Sequence, residues 1–445
     1  MRTNLLETYS RQLKVAEAYV AKNFDGKTIS PNTQLTTAVL LDNTNRWMTE
    51  SMGLGLGTTQ RTDLGDWKKF CLNLTNIAVP SLIANDLVIV HPMTSYSGSV
   101  AYLKYVALTE KGGVKAGDML NGVFAQGAMT EGRMNYTSQV IVEAASGGTA
   151  TPALTVKEGG ISYVDGNTVK YADVKVIKTD GSVVYVAKNA IPGTDVAKIA
   201  YVSEEFQMEK VPAKDIPTIG PKMDRIALVA EPRRIAVRYD QITAFQAKTD
   251  YGFSLDKQIA EQACGELAYE IDSEIVDMLY KAAFARTERL KFNKRQPIGV
   301  SKFEHYNAFL EIVEEAKAII YKRTHKFHPN YMVIGSNVLP ILRFVTGFTA
   351  VKNAKMNGPY KVGELDGINV YVSPAVAENE FFFGLNGSDM MSSAGVYAPY
   401  MAIVPTQLLG TPDGGLTQGF STWYAKALLN DLLLVGGTIV DEAYA

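Results

Sequence analysis

The stretch "PSLIANDLVIVHPMTSYSG", Pro80 through Gly98, decides how the rest of the chain is read. It opens on a proline, runs apolar with one amide and one carboxylate inside it, meets His91 and Pro92, and closes on a glycine. An apolar run bounded by turn residues reads as a buried strand. If the stretch is catalytic, Asp86 and His91 are its acid and base; if it is structural, something must need a strand that stops so abruptly.

Little else in the chain supports catalysis. The 445 residues include only four histidines, and neither HExxH nor a GxSxG nucleophile elbow occurs. "GGVKAG" at Gly112–Gly117 has P-loop glycine spacing, but Asp118 stands where the phosphate-binding lysine is required, and "GLGLGTTQ" follows no strand. His325 and His328 have the spacing of two metal ligands without a third, and His305 reads as exposed at a helix start. The expectation is a protein that is not an enzyme, with no catalytic residue, cofactor or metal.

Charged clusters remain. Glu266, Glu270 and Glu274 recur at i, i+4 spacing. Burial could split their pKa values for acid–base work, but exposed like charges at that spacing cost only about 0.2–0.5 kcal/mol, so a solvated or partner-facing acidic face is the simpler reading. Arg233, Arg234 and Arg238 lie in an extended segment, and Arg286, Arg289, Lys291, Lys294 and Arg295 form a basic run. Opposite patches of this kind can meet between identical subunits.

Composition narrows the class further. Hydrophobic residues make up 47% and charged residues 20%, which excludes a disordered or fibrous chain. Forty-four Lys and Arg against forty-six Asp and Glu leave a net charge of −2, so no global field draws the molecule to nucleic acid or membrane. Cys71 and Cys264 lie in no paired motif, which suggests folding in a reducing compartment. Neither a signal peptide nor an apolar run of membrane-spanning length is visible, and the expectation is a chain made in the cytosol.

Moving outward, Leu6, Tyr9, Leu13, Ala16 and Val20 predict an amphipathic helix over 4–24, and the Gly/Thr/Asn-rich residues 25–65 read as an extended arm. Beyond the opening stretch, "SVAYLKYVAL" alternates like a long strand or hairpin arm. From 145 to 201, short β-branched runs separated by Asp165-Gly166 and Asp180-Gly181 predict hairpins and an all-β module. "PKMDRIALVAEPRRIAVRYDQITAF" reads as extended. The period then changes: Leu255, Ile259, Ala263, Leu267, Ile271 and Ile275 form one i, i+4 stripe of a long helix of about eight turns, with Ser254 as N-cap. A second helix over "KFEHYNAFLEIVEEAKAIIYKRTH" and strands at "NYMVIGS", "INVYVSP" and "EFFFGLNG" follow.

The segment Pro80–Leu108 resembles the capsid proteins of T-even-type tailed phages, through Pro80, Leu82, Ile83, Ala84, Asp86, Val90, Pro92 and Gly98 in that order. His91 stands where that family usually carries Gln. "TDYGFSLDKQIAEQACGELAYEIDSEIVDML" is similar to the family's spine helix, and "YMVIGSNVLPILRF", "DGINVYVSP", "EFFFGLNGSDMMSSAGVYAPYMAIV" and "QGFSTWYAKAL" to its later core segments, so the likeness spans most of 75–440 except the β module. The resemblance implies an α+β chain of the Hong Kong 97-type capsid fold with an all-β insertion. Its parts would be an N-terminal arm (1–65), the start of the peripheral domain (66–96), an outward E-loop region (97–144), the inserted module (145–205), the E-loop return (206–250), the spine helix (251–295), an axial domain (296–410) and C-terminal peripheral strands (411–445). Pro92 and Gly98 would be the E-loop hinge.

The function implied is that of a major capsid protein. It would self-assemble through hexamers into the icosahedral or prolate shell around a tailed phage's double-stranded DNA, and would mature from a procapsid. Its partners would be a vertex protein, a portal, a scaffold and a prohead protease, with assembly in the host cytoplasm before residence in the virion. That protease cuts after apolar-x-Glu motifs, which Leu5–Glu7, Ile141–Glu143 and Ile312–Glu314 all fit. An encapsulin-type compartment, and a surface or carbohydrate-binding protein built round the β module, are the alternatives.

Overall fold

The computed structural model describes residues 2–23, 29–53, 75, 79–80, 82–109, 116–117, 140–145, 152–165, 168–193, 195–204, 216–250, 252, 255–324, 326–351, 358–406, 409–410 and 415–442. The chain divides into two compact units, Met1–Val100 with Arg225–Ala445, and Ala101–Asp224. Secondary structure is mixed helix and sheet, as an α+β chain requires.

The helices described in the first unit include α1 (Arg2–Thr8), α2 (Ser10–Asn23), α3 (Pro31–Gly53), α4 (Ala84–Leu87), α5 (Gln241–Asp250), α6 (Leu255–Phe284), α7 (Lys302–Asn307), α8 (Phe309–Thr324) and α9 (Leu339–Leu342). The scaffold is α6, thirty residues long. Of the predicted stripe, Ala263, Leu267, Ile271 and Ile275 are buried, while Leu255 and Ile259 near its start are half-buried. Its first half packs on Ile403 and Phe420, its second in the main core with Phe309 and Phe381–Phe383. The helix stops at Phe284, short of the expected 295: Arg289 Nη2 donates to the Phe284 carbonyl, and its guanidinium lies 5.2 Å from the Phe284 ring centre, a cationic cap on a helix C-terminus. Ser254 lies outside the described residues.

Two sheets flank α6. The first has the order β1 (Ile89–Val90), β17 (Gly395–Pro405), β19 (Gly415–Leu428), β10 (Glu231–Asp240), with β18 (Leu409–Gly410) also on β19. Alternation along β10 turns Ile235 and Val237 toward α6 and leaves Arg234 and Arg238 exposed. The second has the order β11 (Leu290–Asn293), β20 (Val435–Val440), β16 (Glu380–Gly384), β12 (Tyr331–Ile334), β15 (Ile368–Val372), β14 (Tyr360–Leu365), β13 (Thr349–Ala350). Phe381, Phe382 and Phe383 are consecutive and fully buried, which only a strand covered on both faces permits.

Several expectations change at this level. The 25–65 arm is not simply extended: α3 occupies Pro31–Gly53, its Thr36, Thr37 and Thr44 hydroxyls donating to carbonyls one turn back, and Asn43 Nδ2 donating to Met93 O and Tyr400 O at 2.7 and 2.8 Å. Weak helix formers are held helical there by tertiary contacts. Residues 241–245, read as extended, begin helix α5. His305 is buried rather than exposed; its ring stacks on Phe292 at 5.4 Å and its Nε2 lies 2.7 Å from the Asn293 carbonyl. Pairing is also non-local: β17, within 296–410, pairs β1 and β19, while β20, within 411–445, pairs β11 and β16.

Strands β2 (Ser97–Ala107) and β9 (Ile219–Val229), eleven residues each, pair with one another and carry the chain into and out of the second unit. There β3 (Val140–Ala144), β8 (Val196–Val202), β6 (Val174–Lys178) and β7 (Val183–Val186) form one antiparallel sheet, in that order, and β4 (Ile161–Asp165) pairs β5 (Thr168–Ala172). β3, which precedes residue 145, pairs β8 along its whole length. The Asp180-Gly181 turn forms as read, with Gly181 at φ +84° and Asp180 accepting from the Ser182 N–H.

Candidate functional site

Pro80–Gly98 is not one buried strand. Its apolar run folds into the single turn α4, then the two-residue strand β1, then a short link to β2. The cause lies far away in sequence. Asp272 of α6 accepts hydrogen bonds from Ala84 N–H and Ile83 N–H at 3.0 and 3.2 Å, so a carboxylate caps the start of α4. Asn386 Nδ2 reaches the other end, donating to Asp86 O and Val88 O at 3.0 and 3.2 Å. Asn386 is fixed in turn by reciprocal bonds with Asn330, and Ser393 Oγ accepts from Ile89 N–H at 3.2 Å. These residues tie α4 and β1 to α6 and to the end of β16.

Pro92 does not end the ladder to β17, because His91 N–H bonds Tyr397 O and Met93 N–H bonds Pro399 O, both at 2.9 Å; Pro92 sits at the intervening position, where no donor is needed. Gly98 is part of β2 with no positive φ, and a Cβ there would meet only the flexible end of Met93. Nothing in its backbone requires glycine.

Burial makes Asp272 the most perturbed acid of the joint: it pushes the carboxyl up to about 7 despite the two N–H donors, with Asp86 adding to the rise. Tyr397 and Tyr371 are pushed up by burial as well.

The charged residues singled out in the sequence separate into two groups. Arg233 and Glu274 pair within the chain: Nε and Nη2 reach the two carboxylate oxygens at 3.0 and 3.3 Å, and Lys426 Nζ joins at 2.7 Å. Packing of β10 and β19 on α6 brings them together within one chain. Burial raises the Glu274 carboxyl, but the bonds from Arg233 and Lys426 outweigh it and hold the group at about 2. Arg286 pairs with Asp431 at 2.8 Å, Arg289 caps α6, and Arg234 lies over Trp423. Glu266, Glu270, Arg238, Lys291, Lys294 and Arg295 stay exposed. Lys426, Asp431, Asn330 and Asn386 escaped sequence reading; an Asn-Gly pair directly after "FFFGL" was the one available hint of an amide held at the edge of the core.

The Arg233–Glu274 pair yields a testable coupling. A double-mutant cycle with alanine at both positions, read by urea unfolding at pH 7, is expected to give about 1–2 kcal/mol. The folded-state pKa of Glu274 lies below its ordinary 4.5, so this stabilisation is full above pH 4.5 and drains away as pH falls toward 2. Equal coupling at pH 7 and pH 2.5 would refute it.

Among the described residues no group of three or more His, Cys, Asp or Glu is placed to hold a metal ion, and no helix is long and apolar enough to cross a membrane. Cys71, His325 and most of the "GGVKAG" segment lie outside the described residues. What these surroundings build is a scaffold of two sheets on a long helix, with a hydrogen-bonded joint and no assembled reaction centre among the described residues.

Residues 64–443 match the family described as major capsid protein Gp23, so the chain belongs to that family and is a major capsid protein of a tailed phage. Its relatives include the major capsid protein of Enterobacteria phage T4, 22% identical over 391 residues that cover 79% of this chain and 73% of the relative. The major capsid protein of Enterobacteria phage T6 is 22% identical over 383 residues, covering 79% and 76%. Similar solved structures include a chain of Microbacterium phage Oxtober96 (TM-score 0.38, 12% identity, 81% of this chain and 91% of that one) and the capsid of cyanophage P-SCSP1u (0.34, 13%, 54% and 80%). A major capsid protein works as a multi-copy assembly, so the working form is a homo-oligomer in the virion capsid.

Proposed function

We propose that copies of this chain form hexameric capsomers and close into the head shell of a tailed phage, enclosing double-stranded DNA without sequence-specific binding and without catalysing a reaction. The match to the capsid family along 64–443 carries this reading. The architecture supports a Hong Kong 97-type assignment: α6 and the first sheet as spine helix and peripheral domain, the second sheet as axial domain, β2 and β9 as the E-loop, the Val140–Val202 strands as its insertion, and α1–α3 in the N-terminal arm. A net charge of −2 suits a shell lining that must not grip its genome, because each phosphate contact tightens binding. The assembly route would involve a scaffold, portal, vertex protein and prohead protease in the host cytoplasm, as the family kinship suggests.

Electron microscopy of particles purified from cells expressing the head proteins tests the reading. Closed shells built from this chain, with nuclease-protected DNA inside heads from infected cells, are expected. Subunits that stay monomeric with all head proteins present would reject it, and shells filled with protein cargo instead of DNA would favour a compartment of the encapsulin kind.

A further inference from the structure

Two of the opposed patches remain exposed, and their charged side chains make no ion pair among the described residues. The first is the loop between β11 and α7. Lys294 N–H donates to Val440 O at 2.8 Å and Arg295 N–H to Asn293 Oδ1 at 3.0 Å, which fixes its root. Its far end is set by the Ser301–Glu304 capping box of α7. Between them Val300 N–H bonds Pro297 O across a turn with Gly299 at φ +89°, the type II geometry that needs glycine at that position. Ile298 therefore stands at the tip of a braced turn, fully exposed, behind two exposed cations.

The second patch is on α6. Glu266, Tyr269 and Glu270 fall at i, i+3 and i+4 on one exposed face, opposite the buried Leu267 and Ile271. Tyr269 is 41% exposed, a large aromatic flanked by two carboxylates that make no ion pair among the described residues. No hydrogen bond or ion pair among those residues links this face to the 294–299 loop of the same chain.

We propose that the Lys294–Gly299 loop of one copy docks on the Glu266–Tyr269–Glu270 face of a neighbouring copy, Lys294 and Arg295 meeting the carboxylates and Ile298 packing on the Tyr269 ring. The contact rests on the shell-forming reading and names one of its joints. Charge complementarity selects a second copy as occupant: two cations and an aliphatic tip face two anions and an aromatic, and the braced loop loses little conformational freedom on docking. The contact is heterologous, joining different surfaces of the two copies, the kind that closes into rings.

Charge reversal tests it in the full-length chain, under conditions where the unmodified chain forms shells. K294E/R295E and E266K/E270K are each expected to raise the protein concentration for half-assembly by about tenfold or more, since both set like charges against each other. The fourfold variant, which restores opposite charges, is expected to return to within about threefold of the unmodified chain. Unfolding midpoints of unassembled subunits, unchanged because all four side chains are exposed, show that folding is intact. Normal assembly of either double reversal, or no recovery in the fourfold variant, overturns the contact. Failure of the unmodified chain to form shells rejects the shell-forming reading itself.

Discussion

Asp272→Ala is expected to destabilise the subunit by about 3 kcal/mol, because it strips the acceptor from two buried N–H groups at once, each costing about 1–3 kcal/mol when left unpaired. Ile83 and Ala84 lose their cap, and the turn α4 loses the tie that separates it from an extended strand. Asp272→Asn keeps one carbonyl acceptor and is expected to cost about half as much. Their pH dependence separates a buried acid from a merely well-placed one. The folded-state pKa of about 7 lies above the ordinary 3.8, so between those values the folded protein holds a proton that the unfolded chain releases. Stability from this group is therefore full below pH 4 and is lost as pH rises toward 7. The asparagine variant lacks that term, so its deficit against the natural protein should shrink across the window. Urea unfolding at pH 5 and pH 8 reads the difference, and a deficit equal at both would show that Asp272 does not titrate there.

Gly384→Ala is expected to cost about 3 kcal/mol or more in the same assay. Gly384 lies directly across the β12–β16 ladder from Tyr331, and a Cβ there would overlap Tyr331 Cζ and Oη. Tyr331 is 1% exposed in an inner strand and has nowhere to retreat. Its hydroxyl finds no hydrogen-bond partner among the described residues, so Tyr331→Phe alone should be neutral or stabilising by about 1 kcal/mol, and Tyr331→Leu should recover part of the Gly384→Ala loss. A Gly384→Ala protein as stable as the natural one would mean that the ring does not fill that space.

Both effects centre on residues whose importance is invisible locally. Asp272 is one of several acids along α6, and Gly384 lies inside the "EFFFGLNG" run, so neither is marked out by its neighbours in sequence. The same limit explains the misreading of Pro80–Gly98. A run of "LIANDLVIV" satisfies the pattern of a buried strand, and only a carboxylate 188 residues away from Ala84 makes part of it helical. Likewise, α3 is rich in threonine and asparagine, which favour caps and turns over helix interiors, until Asn43 and Leu40 meet the β17 region.

What the sequence by itself determined was what repeats at short range: the one-sided stripe of α6, the alternation of β9 and β10, the Asp180-Gly181 turn, and an ordered set of segments sufficient to suggest the capsid family. Only the tertiary structure decided which strand joins which sheet, that Arg233 and Glu274 pair inside one chain while Lys294, Arg295, Glu266 and Glu270 are left exposed, and that the apolar run of Pro80–Gly98 is a capped turn and a two-residue strand. Periodicity acts over a few residues and is written in the chain, whereas charge pairing and sheet membership depend on which distant segments packing brings within a few ångströms.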